Sequence, residues 1–312
     1  MSKTKWRSLD GIVLLNKPIG LSSNQALQRV RRLYRAAKAG HTGALDPLAT
    51  GMLPLCLGEA TKFSQFLLDA DKRYLTCIRL GQRTTTGDRE GDILTEEVVP
   101  DLTEEELESV LNRFRGDIEQ IPPMYSALKH EGKPLYEYAR KGIVIERKRR
   151  QVTISNITLV SRTANTLTLD IQCSKGTYIR TIGEDIGEAL GCGAHLHSLH
   201  RISTAGYSPE GMLTLEEFEA LAEQGEEILD TKLMTMDTAV EHLDRVELSS
   251  QHTREMLFGR TVSHADLSVP TDEGVLFRMY DQATQRFLGL GVLKGSVIKP
   301  HRLVNTSELT NF

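Results

Sequence analysis

The stretch from Gly40 to Gly58 constrains the fold of this chain more than any other segment. It contains four glycines and two prolines, and Asp46 is its only Asp, Glu, Lys or Arg residue. Proline lacks a backbone N–H group and glycine is costly to order, so this stretch cannot be a regular helix or strand throughout. We therefore predict a specifically shaped loop that is buried or lies at a cleft and carries one carboxylate.

A lone carboxylate in an apolar loop has two interpretations. Asp46 precedes Pro47, and an Asp-Pro pair can simply initiate a turn. Alternatively, the carboxylate carries out chemistry, and a cation or hydrogen-bond donors then compensate its lost hydration. A phosphate-binding loop is disfavoured, because no Gly-Lys-Ser/Thr sequence follows and no dinucleotide-binding fingerprint is present. Composition alone leaves the first two interpretations open.

The segments around this loop predict a mixture of strands and helices. Strands are predicted for the short apolar or alternating segments 11–15, 74–80, 151–162 and 166–173. Helices are predicted to follow the capping residues Ser22 or Ser23, Thr103 and Thr214. A further helix is predicted over 177–190, ended by Gly191. This order is not a regular alternation of strand and helix. It predicts an α+β fold with a mixed, mainly antiparallel sheet and flanking helices.

The character of the chain changes near residue 248. Beyond that point, short strands are predicted at 275–280, 287–293 and 297–304, with Gly, Asp and Pro between them. We therefore predict two domains, a larger one over residues 1–247 and a small β-rich module over residues 248–312.

Apolar runs and cysteines indicate the cellular compartment. No apolar run approaches the roughly 20 residues that a membrane-spanning helix needs, and the N-terminus lacks the apolar core of a signal peptide. The four cysteines are widely separated and form no Cys-x-x-Cys pair, which is typical of reduced core thiols. These features predict a cytoplasmic protein that does not enter a membrane.

Charge is distributed unevenly along the chain. The net charge is −4, but residues 210–247 contain twelve acidic residues against two basic ones, so this region carries −10 and the remainder +6. The first basic cluster consists of Arg29, Arg31, Arg32, Arg35 and Lys38. The second basic cluster consists of Arg140, Lys141, Arg147, Lys148, Arg149 and Arg150. Such clusters can be ordinary solvated faces, but their neighbouring glycines and aromatic residues favour a surface that contacts phosphates.

The sequence of the Asp46 loop resembles the signature of the tRNA pseudouridine-55 synthase family, Gly-His-Thr-Gly-x-Leu-Asp-Pro-x-Ala-Thr-Gly. Four other segments resemble that family in the same order, namely LNKP at 15–18, DKRY at 71–74, PPMYSALK at 122–129 and CSKGTYIRT at 173–181. Together they cover most of residues 10–205, which makes the resemblance far more specific than any single motif. The C-terminal module resembles the PUA type of RNA-binding module.

The resemblance implies a reaction and a set of residues. Members of the family isomerise a uridine in the T loop of tRNA to pseudouridine without a metal or small-molecule cofactor. Asp46 matches their catalytic aspartate. The residues that match their substrate-binding positions are Lys17, His41, Tyr74, Tyr178, Arg180, Leu199 and Arg201.

Each of these matches implies a role. Arg180 matches an arginine that pairs with the aspartate, and such a cation keeps a carboxylate ionised in a dry pocket. Tyr74 matches a tyrosine that stacks on the target base and takes part in proton movement. Tyr178 and Leu199 match residues that pack around the flipped nucleotide, and His41 matches a histidine that holds the flipped conformation of the T loop.

The remaining matches concern the loop and the phosphates. Lys17 matches the lysine that supports the active-site loop. Where many relatives carry two arginines, this chain has His200 followed by Arg201, so we expect Arg201 to be the phosphate contact, because histidine is mostly neutral at pH 7. The spacing of His195, His197 and His200 fits no zinc pattern, so no metal is expected.

These observations predict a monomeric enzyme that binds the T stem-loop of tRNA and extrudes the target base. Two alternatives are open. One is the guide-RNA-dependent relative that modifies ribosomal RNA, and the other is an RNA-folding factor built on the same scaffold. Retention of Asp46, Tyr74 and Arg180 together argues against the second alternative.

Overall fold

The computed structural model describes residues 5–263, 267 and 272–305. The parts of the predicted C-terminal module at 264–266, 268–271 and 306–312 lie outside the described residues. Across the described ranges, no helix is both long enough and apolar enough to cross a membrane.

The strands of the described chain follow one another as β1 (Gly11–Lys17), β2 (Ala39–His41), β3 (Thr50–Leu57), β4 (Lys72–Leu80), β5 (Gln82–Thr84), β6 (Ile93–Glu96), β7 (Gly116–Gln120), β8 (Lys129–His130), β9 (Lys133–Pro134), β10 (Arg150–Arg162), β11 (Thr166–Cys173), β12 (Ala194–Thr204), β13 (Arg245–Leu248), β14 (Val262–Ser263), β15 (Leu276–Asp281), β16 (Phe287–Lys294) and β17 (Val297–Leu303). The larger sheet has eight strands in the order β1-β3-β12-β4-β11-β10-β7, and β2 pairs with β3 beside this path. β3 and β12 run parallel, and the other neighbouring pairs run antiparallel.

The α-helices are α1 (Ser23–Leu33), α2 (Ser64–Asp69), α3 (Glu104–Asn112), α4 (Leu135–Ala139), α5 (Ile179–Ala189), α6 (Leu215–Gln224), α7 (Glu226–Asp230) and α8 (Ser250–Leu257). Short 3-10 helices cover Gly58–Phe63, Pro209–Gly211 and Met236–Val240. Three helices begin with a capping box, which reflects the Ser or Thr at the N-cap and the Gln or Glu three residues later. Ser22, and not Ser23, is the cap of α1.

Strand β1 shows why the larger sheet is covered on both faces. Val13 and Leu15 pack in the main core with α1 and α5, whereas Ile12 and Leu14 pack in a second cluster on the opposite face. Because successive strand residues point to opposite faces, a strand buried on both sides must be apolar at every position. The apolar run that begins after Gly11 meets this requirement.

The glycine-rich stretch is part loop and part strand. Residues 42–49 form the loop, hereafter the Asp46 loop, whereas the following eight residues form β3, which accommodates Pro54. The carbonyl group of Pro54 accepts a hydrogen bond from the N–H of Thr42 at 3.1 Å. Gly51 has a φ of +96°, and a Cβ atom there would lie 2.3 Å from the carbonyl oxygen of Arg201. Glycine is therefore required where β3 meets β12.

Strand β12 was not among the strands predicted from the sequence. It lies between β3 and β4 and pairs with both of them. Its register with β4 shifts between Leu196 and Ser198 and again between Arg201 and Ser203. Each bulge moves the following side chains to the other face, so the period of two that identifies a strand is lost.

The second sheet has five strands in the order β13-β15-β16-β17-β14, and Met256 of α8 packs in its core. Leu290 and Val304 join the cluster that covers the outer face of β1, and the ring of Phe287 lies 5.3 Å from the ring of Phe63. The prediction of an α+β fold with a mainly antiparallel sheet and a β-rich C-terminal module is confirmed. The boundary between residues 247 and 248 stays a prediction.

Candidate active site

The Asp46 loop is held mainly by contacts to its backbone. The hydroxyl group of Ser23 accepts a hydrogen bond from the N–H of Leu45 at 2.7 Å and donates one to the carbonyl oxygen of the same residue at 3.1 Å. The N–H of Gly20 donates to the carbonyl oxygen of Pro47 at 2.8 Å. These bonds fix the backbone on both sides of Asp46 without using its carboxylate.

Lys17 lies beneath the loop and is completely buried. Its Nζ donates to the carbonyl oxygen of Pro18 at 2.8 Å and to that of Pro47 at 3.4 Å. Burial lowers the pKa of Lys17 to about 8, and the nearby charge of Asp46 acts in the opposite direction. The lysine thus links the end of β1 to the Asp46 loop.

Asp46 forms an ion pair with Arg180, the second residue of α5. The Nε atom of Arg180 lies 3.1 Å from Oδ2 of Asp46, and the Asp46 side chain is 42% exposed whereas that of Arg180 is 5% exposed. The guanidinium also donates to the carbonyl oxygen of Thr86 at 3.0 Å and to that of Tyr125 at 2.7 Å. A buried cation, each of whose three nitrogens has a partner, therefore holds a carboxylate that remains accessible to a substrate.

Asp88 is a second carboxylate near Arg180. Its Oδ2 lies 3.9 Å from Nε of Arg180, and its side chain is 7% exposed. Its Oδ1 accepts hydrogen bonds from the hydroxyl group of Thr86 at 2.6 Å and from the N–H of Glu90 at 3.0 Å. Loss of hydration raises the pKa of Asp46, Arg180 opposes this effect, and the charge of Asp88 adds to it.

The expectation that Arg201 contacts a phosphate is wrong, because only 1% of this residue is exposed. Its Nε donates to the carbonyl oxygen of Met52 at 2.6 Å, and one of its terminal nitrogens donates to that of Gly43 at 2.9 Å. Gly43 is the second residue of the Asp46 loop, and Met52 lies in β3 just after the loop. Arg201 therefore clamps the two ends of the loop against β12 and has no surface to offer to RNA.

This position leads to a prediction for Arg201→Met. The substitution removes a buried cation and leaves two buried carbonyl groups without donors, which together should lower the free energy of unfolding by about 3–5 kcal/mol. Urea unfolding of the native and variant proteins measures this change. If the variant kept its stability and its RNA binding became less dependent on salt, the result would instead support the phosphate contact expected for Arg201.

Tyr74 lies at the centre of the same sheet. It stands on β4 opposite Arg201 of β12 and Ile171 of β11, and only 7% of it is exposed. Burial raises the pKa of the Tyr74 hydroxyl, the charge of Arg201 lowers it, and that of Asp46 raises it. The phenol is therefore near both the Asp46 loop and Arg201, although its role with the base stays a prediction.

Tyr178 and Leu199 lie in different surroundings. Tyr178 directly precedes α5, and the guanidinium of Arg150 lies 4.6 Å from the centroid of its ring. Leu199, 8% exposed, borders a cavity of about 300 Å³ whose lining includes Leu48, Thr50 and Thr76. This cavity adjoins the C-terminal end of the Asp46 loop.

The histidines near the site differ in their surroundings. His41 ends β2 immediately before the Asp46 loop, and burial and the charge of Arg201 lower its pKa. The Nδ1 atom of His200 lies 2.9 Å from the hydroxyl group of Thr50, and that of His195 lies 3.1 Å from the carbonyl oxygen of Gln82. In the part of the chain that the structure describes, no group of three His, Cys, Asp or Glu residues is arranged to hold a metal ion.

Sequence reasoning missed several residues that shape the site. Ser23 was read only as a possible helix cap, and Asp88 and Gln120 carried no recognisable signal. The contacts of all three join segments that are far apart in the sequence. Only the folded structure brings them together.

Three family models match consecutive parts of the chain. The TruB family pseudouridylate synthase N-terminal domain matches residues 31–179, and the tRNA pseudouridylate synthase B C-terminal domain matches residues 180–241. The C-terminal model of pseudouridine synthase II TruB matches residues 245–304.

Whole proteins are similar as well. A tRNA pseudouridine synthase B from Marinomonas sp. (strain MWYL1) is 79% identical over 310 residues, which are 99% of this chain and 100% of the relative. A protein of the same description from Shewanella amazonensis (strain ATCC BAA-1098 / SB2B) is 50% identical, with 97% of each chain covered. The solved structure of a Cbf5-Nop10-Gar1 complex contains a chain of similar fold, with a TM-score of 0.74 and 24% identity over 94% of this chain and 84% of that one.

Proposed function

This chain belongs to the TruB family of pseudouridine synthases, and we propose that it converts uridine 55 in the T loop of tRNA to pseudouridine, with Asp46 as the catalytic carboxylate. The observation that carries this proposal is the ion pair between the accessible Asp46 and the buried Arg180. Asp46 lies in a loop whose backbone is fixed independently of its carboxylate. Such an arrangement suits a group that reacts and must return to the same position.

The proposed reaction is an isomerisation. The C1′–N1 bond of the uridine breaks, the uracil rotates, and a C1′–C5 bond forms, while C5 loses a proton and N1 gains one. The atoms and electrons balance within the nucleoside and water, so the reaction needs no redox partner or group donor. C1′ becomes electron-poor when its bond to the base breaks, as in glycoside hydrolysis. Asp46 can add to this centre or stabilise it, and Arg180 favours the ionised carboxylate that either role needs.

The target base must leave the RNA loop before it can react. Extrusion of a nucleotide costs a few kcal/mol, which contacts elsewhere must offset. The cavity beside Leu199 has a volume of about 300 Å³, at the lower end of the range for small-ligand sites, and its lining is partly apolar. Leu199 lines this cavity, whereas Tyr74 lies on the neighbouring strand β4 outside its lining and is proposed to contact the base once the RNA is bound.

Both basic clusters supply exposed cations to the phosphate-binding surface in this proposal. Within the first basic cluster, Arg31 donates to the carbonyl oxygens of Ala36 and Ala37, and Arg35 pairs with Glu226 of the acidic region. Those two cations are therefore already engaged. Exposed side chains remain in both clusters, namely Arg29, Arg32 and Lys38 in the first and Arg140, Lys141 and Lys148 in the second. Arg149 is also exposed but pairs with Glu119 at 3.4 Å. Exposed cations can displace counterions from RNA, which makes binding salt-dependent.

The proposal also covers the compartment, the oligomeric state and the partners of the reaction. The protein acts on tRNA in the cytoplasm, as a monomer, without a guide RNA, a metal or a small-molecule cofactor. Residues 1–247 form the catalytic domain, and residues 248–312 form a PUA-like module that adds RNA contacts.

The proposed function is tested with an unmodified full-length tRNA transcript and the purified protein alone. Carbodiimide mapping of the product should find one new pseudouridine, at position 55. A pseudouridine at another position, or one that forms only after a guide RNA is added, would contradict the proposal. Tight binding of the tRNA without any pseudouridine would favour the RNA-folding factor instead.

A further inference from the structure

A buried glutamine contacts the start of the helix that carries Arg180. Gln120, the last residue of β7, is 1% exposed. Its Oε1 accepts a hydrogen bond from the N–H of Tyr178 at 3.0 Å, and its Nε2 donates to the carbonyl oxygen of Tyr178 at 3.1 Å. The side-chain amide therefore satisfies both polar backbone groups of one residue, in the one orientation of the amide that allows both bonds.

This contact replaces a cap that α5 lacks. In α1, α3 and α6, the N–H of the N-cap residue is bound by a Gln or Glu side chain of the same helix. Tyr178 is the N-cap of α5, and its own side chain makes no capping hydrogen bond. The first N–H groups of a helix have no partners within the helix. Gln120 supplies one such partner from a position 58 residues away in the sequence.

The segment that follows Gln120 contacts Arg180 itself. The carbonyl oxygen of Tyr125 accepts a hydrogen bond from Arg180 at 2.7 Å. The segment from 120 to 125 thus holds the backbone at the start of α5 and the guanidinium of its second residue. Asp46 meets that guanidinium at 3.1 Å.

We propose that Gln120 is a positioning residue, which fixes the first turn of α5 so that Arg180 faces Asp46. The inference rests on the function proposed above. Gln120 acts through the backbone of Tyr178 and does not touch the substrate. A displacement of about 1 Å in a reacting group can cost on the order of 100-fold in rate, so the loss of both hydrogen bonds has a measurable effect on kcat.

Two substitutions separate positioning from general stability. Gln120→Met keeps the size of the side chain and removes both hydrogen bonds, so we expect kcat on a T stem-loop RNA to fall by about 10- to 100-fold. KM and the Kd for the same RNA should stay within about twofold, because RNA binding depends on phosphate contacts elsewhere. Gln120→Glu keeps the acceptor for the N–H of Tyr178 and should recover part of kcat.

Gln151→Met is the matched control. Gln151 is exposed on β10 and its amide donates to Glu119, the neighbour of Gln120, at 3.2 Å. The substitution Gln151→Met should leave kcat unchanged. The inference is overturned if Gln120→Met and Gln151→Met have the same kcat, or if Gln120→Met and Gln120→Glu lose kcat and RNA binding to the same extent. No activity in the native protein would instead overturn the function on which the inference rests.

Discussion

Asp46→Asn lowers the rate of pseudouridine formation by about 10⁴-fold or more, the order of loss seen when a reacting group is removed from an active site. An amide has nearly the same shape as the carboxylate but no negative charge to offer to C1′. The Asp46 loop should keep its conformation, because Ser23 and Lys17 hold it through backbone atoms. Rapid-quench assays with a T stem-loop RNA measure the rate.

RNA affinity should scarcely change in the same variant. Binding of the RNA depends on exposed cations, and the affinity of the native protein and of Asp46→Asn should fall equally steeply as salt is added. Asp101→Asn, at an exposed position before α3, is the matched control and should keep full activity. If Asp46→Asn lost RNA binding together with turnover, Asp46 would be a structural residue.

Arg180→Met should reduce both activity and stability. The carbonyl oxygens of Thr86 and Tyr125 lose a donor, and the buried Asp88 loses its nearby cation. Removing one partner of a buried, charged network should lower the free energy of unfolding by about 3–5 kcal/mol. Activity should fall by about 10²- to 10³-fold, the range found when an electrostatic contact to a reacting group is removed.

The pH dependence of the activity that remains in Arg180→Met shows whether the loss of activity comes from a change in the ionisation of Asp46. Loss of hydration already raises the pKa of Asp46, Arg180 and Lys17 lower it, and Asp88 raises it. Without Arg180 that pKa rises further, so the ionised carboxylate, and with it the activity, is lost at a higher pH as the solution is acidified. Arg180→Lys keeps a cation and should show a smaller shift. If kcat fell at the same acidic pH in the native protein, Arg180→Met and Arg180→Lys, this account would be contradicted.

The sequence predicts the loop that carries Asp46 better than it predicts the structure around that loop. The glycines and prolines near Asp46 predict a shaped loop, and the resemblance to a family assigns its partner Arg180. Gly51 is needed because the carbonyl group of Arg201 lies against it. The sequence does not show this, since the contact joins β3 to β12. It also hides β12, whose two bulges break the alternation of apolar and polar residues.

Arg201 shows where sequence reasoning failed for a physical reason. Arginine is almost never fully buried unless it is paired, so an exposed phosphate contact was the natural expectation. Here carbonyl groups at the two ends of the Asp46 loop provide the partners. Such partners are backbone atoms, which are the same for every residue type, and no sequence pattern marks them. The same reason hid Gln120, whose amide binds only the backbone of Tyr178.

The most direct test uses a T stem-loop RNA in which only the uridine at position 55 carries tritium at C5. Isomerisation forms the new glycosidic bond at C5, so the tritium there must pass to water. The native protein alone should release one tritium for each RNA molecule, and Asp46→Ala should release none while it still binds the RNA. Equal release by both proteins, or none by the native protein, would contradict the assignment of the reaction to Asp46.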